Sequence, residues 1–151
     1  MRTVKDILET KEKPSNIVSP ATVVIDALEK LISFNLSYVI VMDGQDFIGI
    51  FCERDYTRNL VIQGRSSKDT MVRDVMTTNL PIVGLSKTVE ECMYLMNKRG
   101  TRYLAAYDDD QFVGIITIHD LLREVLATKH RVFDDELTTS LLDNDESGKF
   151  F

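Results

Sequence analysis

The sequence has little cysteine. Only Cys52 and Cys92 occur, and they form neither a CxxC pair nor part of a cluster with the spacing of zinc ligands. A disulfide framework and a structural zinc are therefore not expected. The sequence predicts two reduced, half-buried thiols in a cytoplasmic protein.

The sequence also has no excess of basic charge and no long apolar run. The chain has 18 Lys and Arg against 24 Asp and Glu, for a net charge of −6. Nucleic-acid backbones are held by clustered Lys and Arg, so DNA and RNA are not expected partners. No apolar run approaches the roughly 18 residues that span a bilayer, and the N-terminus has no apolar signal region. We expect a cytoplasmic protein without a membrane partner.

Sequence motifs for phosphate loops and for catalysis are missing. The seven glycines form neither GxGxxG nor GxxxxGK[ST], so no Rossmann or P-loop site is indicated. The two histidines, His119 and His130, are accompanied by no serine or cysteine placed beside a plausible base. The acidic run 108–110 falls in a predicted hairpin turn without the further oxygen ligands that calcium needs. We expect neither an enzyme nor a metal cofactor.

An internal repeat organises the chain. The segment Val4–Leu8 returns as Val72–Met76, and Phe47–Ile50 returns as Phe112–Ile115. A repeat of this kind dictates the architecture. The predicted organisation is repeat 1 at residues 1–62, a linker at 63–71, repeat 2 at 72–128 and an acidic C-terminal tail at 129–151.

Both copies show the same order of hydrophobic periodicities. A short first strand precedes an amphipathic helix, which is followed by two apolar runs joined through a polar turn such as Asp43-Gly44 and then by a second helix. We expect the first helix of repeat 1 to have Ser19 as N-cap and Pro20 at its first position. The sequence predicts an α/β (α+β) fold of two βαββα units packed with pseudo-two-fold symmetry.

A glycine lies six residues before an aspartate where each copy's last strand meets its last helix. The two stretches are Gly49–Asp55 and Gly114–Asp120. The glycine allows a close approach to the strand, and the aspartate falls where a helix N-cap belongs. A carboxylate there can also accept the hydroxyls of a ribose, while the helix N-terminus and the adjacent Arg54 or His119 suit a phosphate. On the residues alone, a plain helix cap and a ribose ligand both stay open.

These motifs resemble the cystathionine-β-synthase (CBS) domain pair, or Bateman module, over about residues 1–128. Its ligand signature is glycine, a hydrophobic pair, Thr or Ser, two variable positions and aspartate, which Gly114–Asp120 matches fully. The stretches Glu53–Tyr56, Gln63–Thr70 and Val72–Thr77 further resemble free-standing bacterial and organellar pairs. The resemblance implies a regulatory module that binds AMP, ADP, ATP, NAD(H) or S-adenosylmethionine in the cleft between the copies, with AMP as the first candidate.

The resemblance also implies roles for individual residues. Asp120 and Thr117 would bind the ribose, and Asp55 would do so in the first copy, where Cys52 stands in place of the expected hydroxyl residue. The candidate phosphate-binding cations are Arg54, Lys68, Arg102 and His119, with Arg58 farther out. The residues suggested for contacts with adenine are Val18, Tyr38, Val83 and Tyr103. The cations could equally be solvated surface groups, and the last four could be ordinary core.

Partners follow from the same resemblance. Many CBS pairs associate two-fold, so we expect a homodimer, together with an unidentified protein target that reads the ligand-bound state. The alternative is a ligand-free interaction or scaffold module, which the replacement at Cys52 and the acidic balance favour. A redox switch through Cys52 is a more distant hypothesis.

Overall fold

The computed structural model describes residues 2–128 and 142–143. The chain forms two compact units. The first-sheet unit holds Ser15–Asn79, and the second-sheet unit combines the described residues up to Pro14 with the described residues from Leu80 to Asp143. Apart from Leu142 and Asp143, the predicted acidic tail lies outside the described residues.

The order of elements follows the predicted repeat. The described elements are α1 (Val4–Thr10), β1 (Ile17–Val18), α2 (Val24–Phe34), β2 (Tyr38–Asp43), β3 (Asp46–Cys52), α3 (Glu53–Asp55) with a π-helical continuation (Tyr56–Val61), a 3₁₀ turn (Val72–Asp74), β4 (Ile82–Gly84), α4 (Val89–Arg99), β5 (Tyr103–Asp108), β6 (Gln111–Thr117) and α5 (Ile118–Thr128). The mixed α/β class and the tandem βαββα units are confirmed. No helix within the described ranges is long and apolar enough to cross a membrane.

The first-sheet unit is built on three strands in the order β1-β2-β3. Strand β1 is parallel to β2, and β2 and β3 form an antiparallel hairpin. Gly44 has φ 63° at the hairpin turn, a left-handed conformation that glycine adopts without a steric cost. Alternate residues of the sheet pack against α2 and the π-helical turn, and the core includes Val24, Leu31, Phe51 and Leu60.

The predicted start of α2 was wrong. The helix begins at Val24, with Val23 in the N-cap position, and not at Pro20. Ser19 and Thr22 instead close a separate turn, in which the Thr22 N–H donates to the Ser19 carbonyl at 3.1 Å. The Val24 N–H donates to the carbonyl of Thr70 at 2.8 Å. A backbone acceptor distant in sequence thus replaces the side-chain cap that the local pattern suggested.

The second-sheet unit repeats this design with the order β4-β5-β6. Its core includes Val4 and Ile7 of α1 together with Leu104 and Leu121. The Val4 N–H donates to the carbonyl of Lys87 at 2.9 Å, which ties α1 to the segment before α4. The segment that opens the sequence therefore packs with the second sheet.

The corresponding segment of the second copy, Val72–Met76, packs with the first sheet. Val72 and Val75 belong to the core of the first-sheet unit, although they precede the second sheet in the chain. Thr77 exchanges two backbone hydrogen bonds with Ile50 of β3, at 2.8 and 3.0 Å. Each compact unit thus combines one sheet with the segment that precedes the other sheet in sequence.

Candidate functional site

The signature aspartates are third residues of their helices, and the expectation that they are N-caps was wrong. In the second-sheet unit α5 begins at Ile118, so Thr117 takes the capping position. The Thr117 N–H donates to Asp120 Oδ2 at 2.8 Å, and the Asp120 N–H donates to Thr117 Oγ1 at 3.2 Å. This reciprocal pair is a capping box with aspartate in place of the usual glutamate. Asp120 is buried, with 8% of its surface exposed.

Asp120 also forms an ion pair that the sequence analysis missed. Lys11, the C-cap residue of α1, donates from Nζ to Asp120 Oδ2 at 2.8 Å and to the Ile115 carbonyl at 3.0 Å. No local pattern signals this contact, because the two charges are 109 residues apart in sequence. The pairing compensates part of the cost of burying the carboxylate.

Asp55 lies at the matching place in the first-sheet unit but has different partners. The Cys52 N–H and its thiol both donate to Asp55 Oδ2, at 3.0 and 3.2 Å. Oδ1 accepts from Thr77 Oγ1 at 2.7 Å and from Asn59 Nδ2 at 3.4 Å. Neutral donors thus engage both oxygens of this carboxylate, which is 5% exposed.

Thr77 and Asn59 were also absent from the predicted site. Asn59 carries a recognisable signal, because it follows Asp55 by four residues on a predicted helix. It also donates to the Val75 carbonyl at 2.9 Å, so it connects the helix to the segment 72–77. Thr77 is 22 residues from Asp55, and only the folded chain brings them together.

A tyrosine lies beside the capping residue in each unit. Tyr38 of β2 is the cross-strand partner of Cys52, and Tyr103 of β5 is the partner of Thr117. This pairing places each tyrosine next to the end of the strand, where the Gly-to-Asp stretch enters the helix. Buried Asn16 donates from Nδ2 to the Tyr38 carbonyl at 3.1 Å and fixes the approach of β1, a role that the sequence analysis did not identify.

Val18 and Val83 occupy the hydrophobic cores of their units. Val18 packs in the cluster of the first-sheet unit and Val83 in that of the second. Their suggested contact with adenine stays a prediction.

The predicted cations fall into two sets by unit. Exposed Arg54 and Arg58 lie on α3 and its π-helical continuation, and Lys68 lies in the polar loop before the 3₁₀ turn. Arg102 and His119 flank the Thr117 end of β6, because the Ile118 N–H at the start of α5 donates to the Arg102 carbonyl at 3.0 Å. The structure thus groups Arg102, His119 and Asp120 within one unit.

Both cysteine thiols are held in their protonated form. Burial, followed by the nearby charge of Asp55, raises the pKa of Cys52 to about 12. Burial raises the pKa of Cys92 to about 11. Because the thiolate is the reactive form, this disfavours the redox-switch hypothesis. Within the described ranges, no cluster of His, Cys, Asp and Glu could hold a metal ion.

We expect both thiols of the folded protein to react slowly with iodoacetamide at neutral pH. The raised pKa and the burial of Cys52 and Cys92 leave little exposed thiolate. Mass spectrometry over a time course would count the modified thiols, with the protein in urea as the fast-reacting control. Rapid modification of either cysteine in the folded protein would contradict this assignment.

Comparison with known proteins decides the family. A model described as the CBS domain matches residues 3–62 and again residues 72–127. The chain belongs to the CBS-domain family. Free-standing CBS-domain proteins are generally regulatory, although some relatives are enzymes that contain CBS domains as parts.

Individual CBS-domain proteins resemble the chain over most of its length. The mitochondrial CBS-domain protein CBSX3 of Arabidopsis thaliana is 29% identical over 85% of this chain, which spans 66% of that relative's length. A CBS-domain protein from Burkholderia ambifaria is similar in structure, with a TM-score of 0.80 and 35% identity over 88% of this chain and 98% of the other. The structure of CBSX2 in complex with AMP has a TM-score of 0.69 and 27% identity over 85% of this chain and 99% of the other.

Proposed function

We propose that this CBS pair is a non-catalytic regulatory module that binds an adenosine nucleotide, with AMP as the first candidate. The observation that carries the proposal is the arrangement of the Asp120 carboxylate. Its hydrogen bonds from Lys11 and Thr117 both end on Oδ2, and no other group of the described chain donates to Oδ1. A buried acceptor without a donor is costly, and a ribose hydroxyl is a suitable donor.

The surroundings of Asp120 suit the rest of a nucleotide. Thr117 supplies a hydroxyl and Tyr103 an aromatic side chain from the neighbouring strand. Arg102 and the half-buried His119 lie at the same strand end and are the candidate phosphate ligands. The complex of CBSX2 with AMP supports this choice of ligand class, because that protein has the same fold over nearly its whole length.

Ligand binding regulates a protein only if it favours one conformation or one association state. A nucleotide that binds one state better shifts the population toward that state, and a partner can read the change. A homodimer and a separate protein target are the partners that we propose for this function. ADP, ATP, NAD(H) and S-adenosylmethionine are the competing ligands.

We expect AMP to raise the melting temperature of the purified full-length protein. A ligand at ~100 times its dissociation constant adds about 2.7 kcal/mol to the free energy of unfolding. The measurement is a thermal melt with and without millimolar AMP, ATP, NAD and S-adenosylmethionine, with inorganic phosphate as the control for anion effects. A rise with one adenosine ligand above that with phosphate would support the proposal, and no rise with any of them would contradict it.

The second candidate function is a ligand-free interaction module. The observation that favours it is the first-sheet unit, where Cys52, Thr77 and Asn59 already engage both oxygens of Asp55. A nucleotide would have to displace these donors. If the thermal melts show no ligand effect, this second function is favoured and a protein partner should be sought instead.

A further inference from the structure

We infer that Lys11 is a specificity-determining residue that recognises the ribose diol together with Asp120. The inference rests on the proposed function and goes beyond it, because it assigns ligand discrimination to the C-cap residue of α1, outside the signature stretch. In this arrangement Asp120 Oδ1 accepts from one ribose hydroxyl, and Lys11 Nζ donates to the oxygen of the neighbouring hydroxyl.

The geometry leaves one donor of Lys11 for a ligand. A lysine ammonium has three N–H groups and accepts nothing. Two of these groups point to Asp120 Oδ2 at 2.8 Å and to the Ile115 carbonyl at 3.0 Å. The Lys11 side chain is 29% exposed, and its third donor has no partner among the described residues. These two contacts hold the ammonium beside the carboxylate before any ligand arrives.

The chemistry of a vicinal diol calls for such a pair. Each hydroxyl both donates and accepts, whereas a carboxylate can only accept. A carboxylate alone therefore leaves the acceptor capacity of the hydroxyl oxygens unused. A fixed ammonium 2.8 Å from that carboxylate supplies the missing donor, and its charge strengthens the hydrogen bond.

The other unit provides an internal comparison. Ile50 and Ile115 are repeat-related, and the Ile50 carbonyl accepts from the Thr77 N–H at 2.8 Å, where the Ile115 carbonyl accepts from Lys11 Nζ. The Thr77 hydroxyl then donates to Asp55 Oδ1 at 2.7 Å, which occupies the oxygen that corresponds to the open one of Asp120. A cation and an open carboxylate oxygen therefore coincide at Asp120 and not at Asp55.

The test compares ribose analogues in full-length protein by isothermal titration calorimetry. The probes are AMP, 2′-deoxy-AMP and 3′-deoxy-AMP, each of the last two lacking one hydroxyl of the diol. We expect the wild type to bind AMP roughly 10- to 100-fold more tightly than either analogue, as the loss of a charge-assisted hydrogen bond implies. Lys11→Met should weaken AMP binding by a similar factor and remove the preference over one of the two analogues.

Two further variants keep this result interpretable. Lys11→Arg retains a cationic donor and should restore part of the preference. Lys5→Met removes an exposed lysine of α1 and should bind all three nucleotides like the wild type. Thermal melts without ligand establish that each variant is folded, and Lys11→Gln, which also removes the charge, provides the test if Lys11→Met does not fold.

The outcomes separate this inference from the proposed function. If the wild type binds AMP and Lys11→Met keeps the full preference over both analogues, Lys11 has no role in ribose recognition and the inference is overturned. Equal weakening of all three nucleotides is the same outcome, because it leaves the preference unchanged and indicates only a general charge effect. The inference is also overturned if the wild type binds AMP no more tightly than the two deoxy analogues. If the wild type binds none of the three, the proposal of AMP fails and the inference fails with it.

Discussion

Replacement of Asp120 by asparagine should abolish the stabilisation by AMP while the protein remains folded. The amide retains the size of the carboxylate and one oxygen that can accept from the Thr117 N–H, which lies 2.8 Å from Oδ2. It lacks the negative charge and the second acceptor that a ribose hydroxyl needs. At an AMP concentration of ~100 times the wild-type dissociation constant, the expected loss is the full ligand contribution of about 2.7 kcal/mol.

The unliganded Asp120→Asn variant should be only modestly less stable than the wild type. Lys11 loses its ion pair but keeps the hydrogen bond to the Ile115 carbonyl at 3.0 Å. Its side chain remains partly in water, so we expect a cost of about 1 kcal/mol. Thermal melts with and without AMP measure both effects in one experiment.

Two aspartate controls complete this design. Asp109→Asn removes the same charge from an exposed hairpin turn, where φ is 52° and asparagine is well tolerated, so its response to AMP should equal that of the wild type. Asp55→Asn should lower the stability without ligand, because four hydrogen bonds converge on that carboxylate. AMP stabilisation that survives in Asp120→Asn and disappears in Asp55→Asn would assign the nucleotide to the other unit.

The largest stability change is expected for Gly49→Ala. A Cβ added at Gly49 would collide with the backbone carbonyl of Thr77. Backbone cannot rotate away as a flexible side chain does, so β3 and the segment at Thr77 must separate. The two backbone hydrogen bonds between Ile50 and Thr77 would then be strained or lost. We expect a decrease of about 3 kcal/mol in the free energy of unfolding.

Gly84→Ala is the matched control for this prediction. Apart from Gly84 itself and its two chain neighbours, none of the described residues has an atom within 4 Å of a Cβ placed at Gly84, which ends β4. Its free energy of unfolding should therefore stay within ~0.5 kcal/mol of the wild type. Urea unfolding of the wild type and the two variants provides the comparison, with one common slope of the free energy of unfolding against urea concentration. If the Gly49→Ala and Gly84→Ala variants are equally stable, the close approach of β3 to the Thr77 backbone does not restrict residue 49 to glycine, and the prediction is wrong.

Much of the fold could be predicted from the sequence because it rests on local periodicity and on the repeat. The return of Phe47–Ile50 as Phe112–Ile115 predicted two equal hairpins, and both formed with matching registers. The glycine of the signature was expected to permit a close approach, and Gly49 meets the backbone of Thr77. Errors occurred where a distant backbone group replaced a local one, as at the start of α2.

The candidate site was only partly accessible by the same means. The Gly-to-Asp spacing identified Asp55, Asp120 and their capping neighbours, because those contacts join residues three apart. The signature could not distinguish the two aspartates by their remaining partners. Those partners, Lys11 and Thr77, come from segments that are remote in sequence.

The sequence by itself determined the repeat, the order of strands and helices, and the position of one capping carboxylate in each copy, since all of these depend on residues close together in the chain. Only the tertiary structure decided which segment packs with which sheet. That choice gives Asp120 a lysine and Asp55 a threonine. The two aspartates therefore differ in the charge of their partner and in whether one carboxylate oxygen is left without a donor from the described residues. Both differences come from contacts between residues far apart in the chain, which no local pattern encodes.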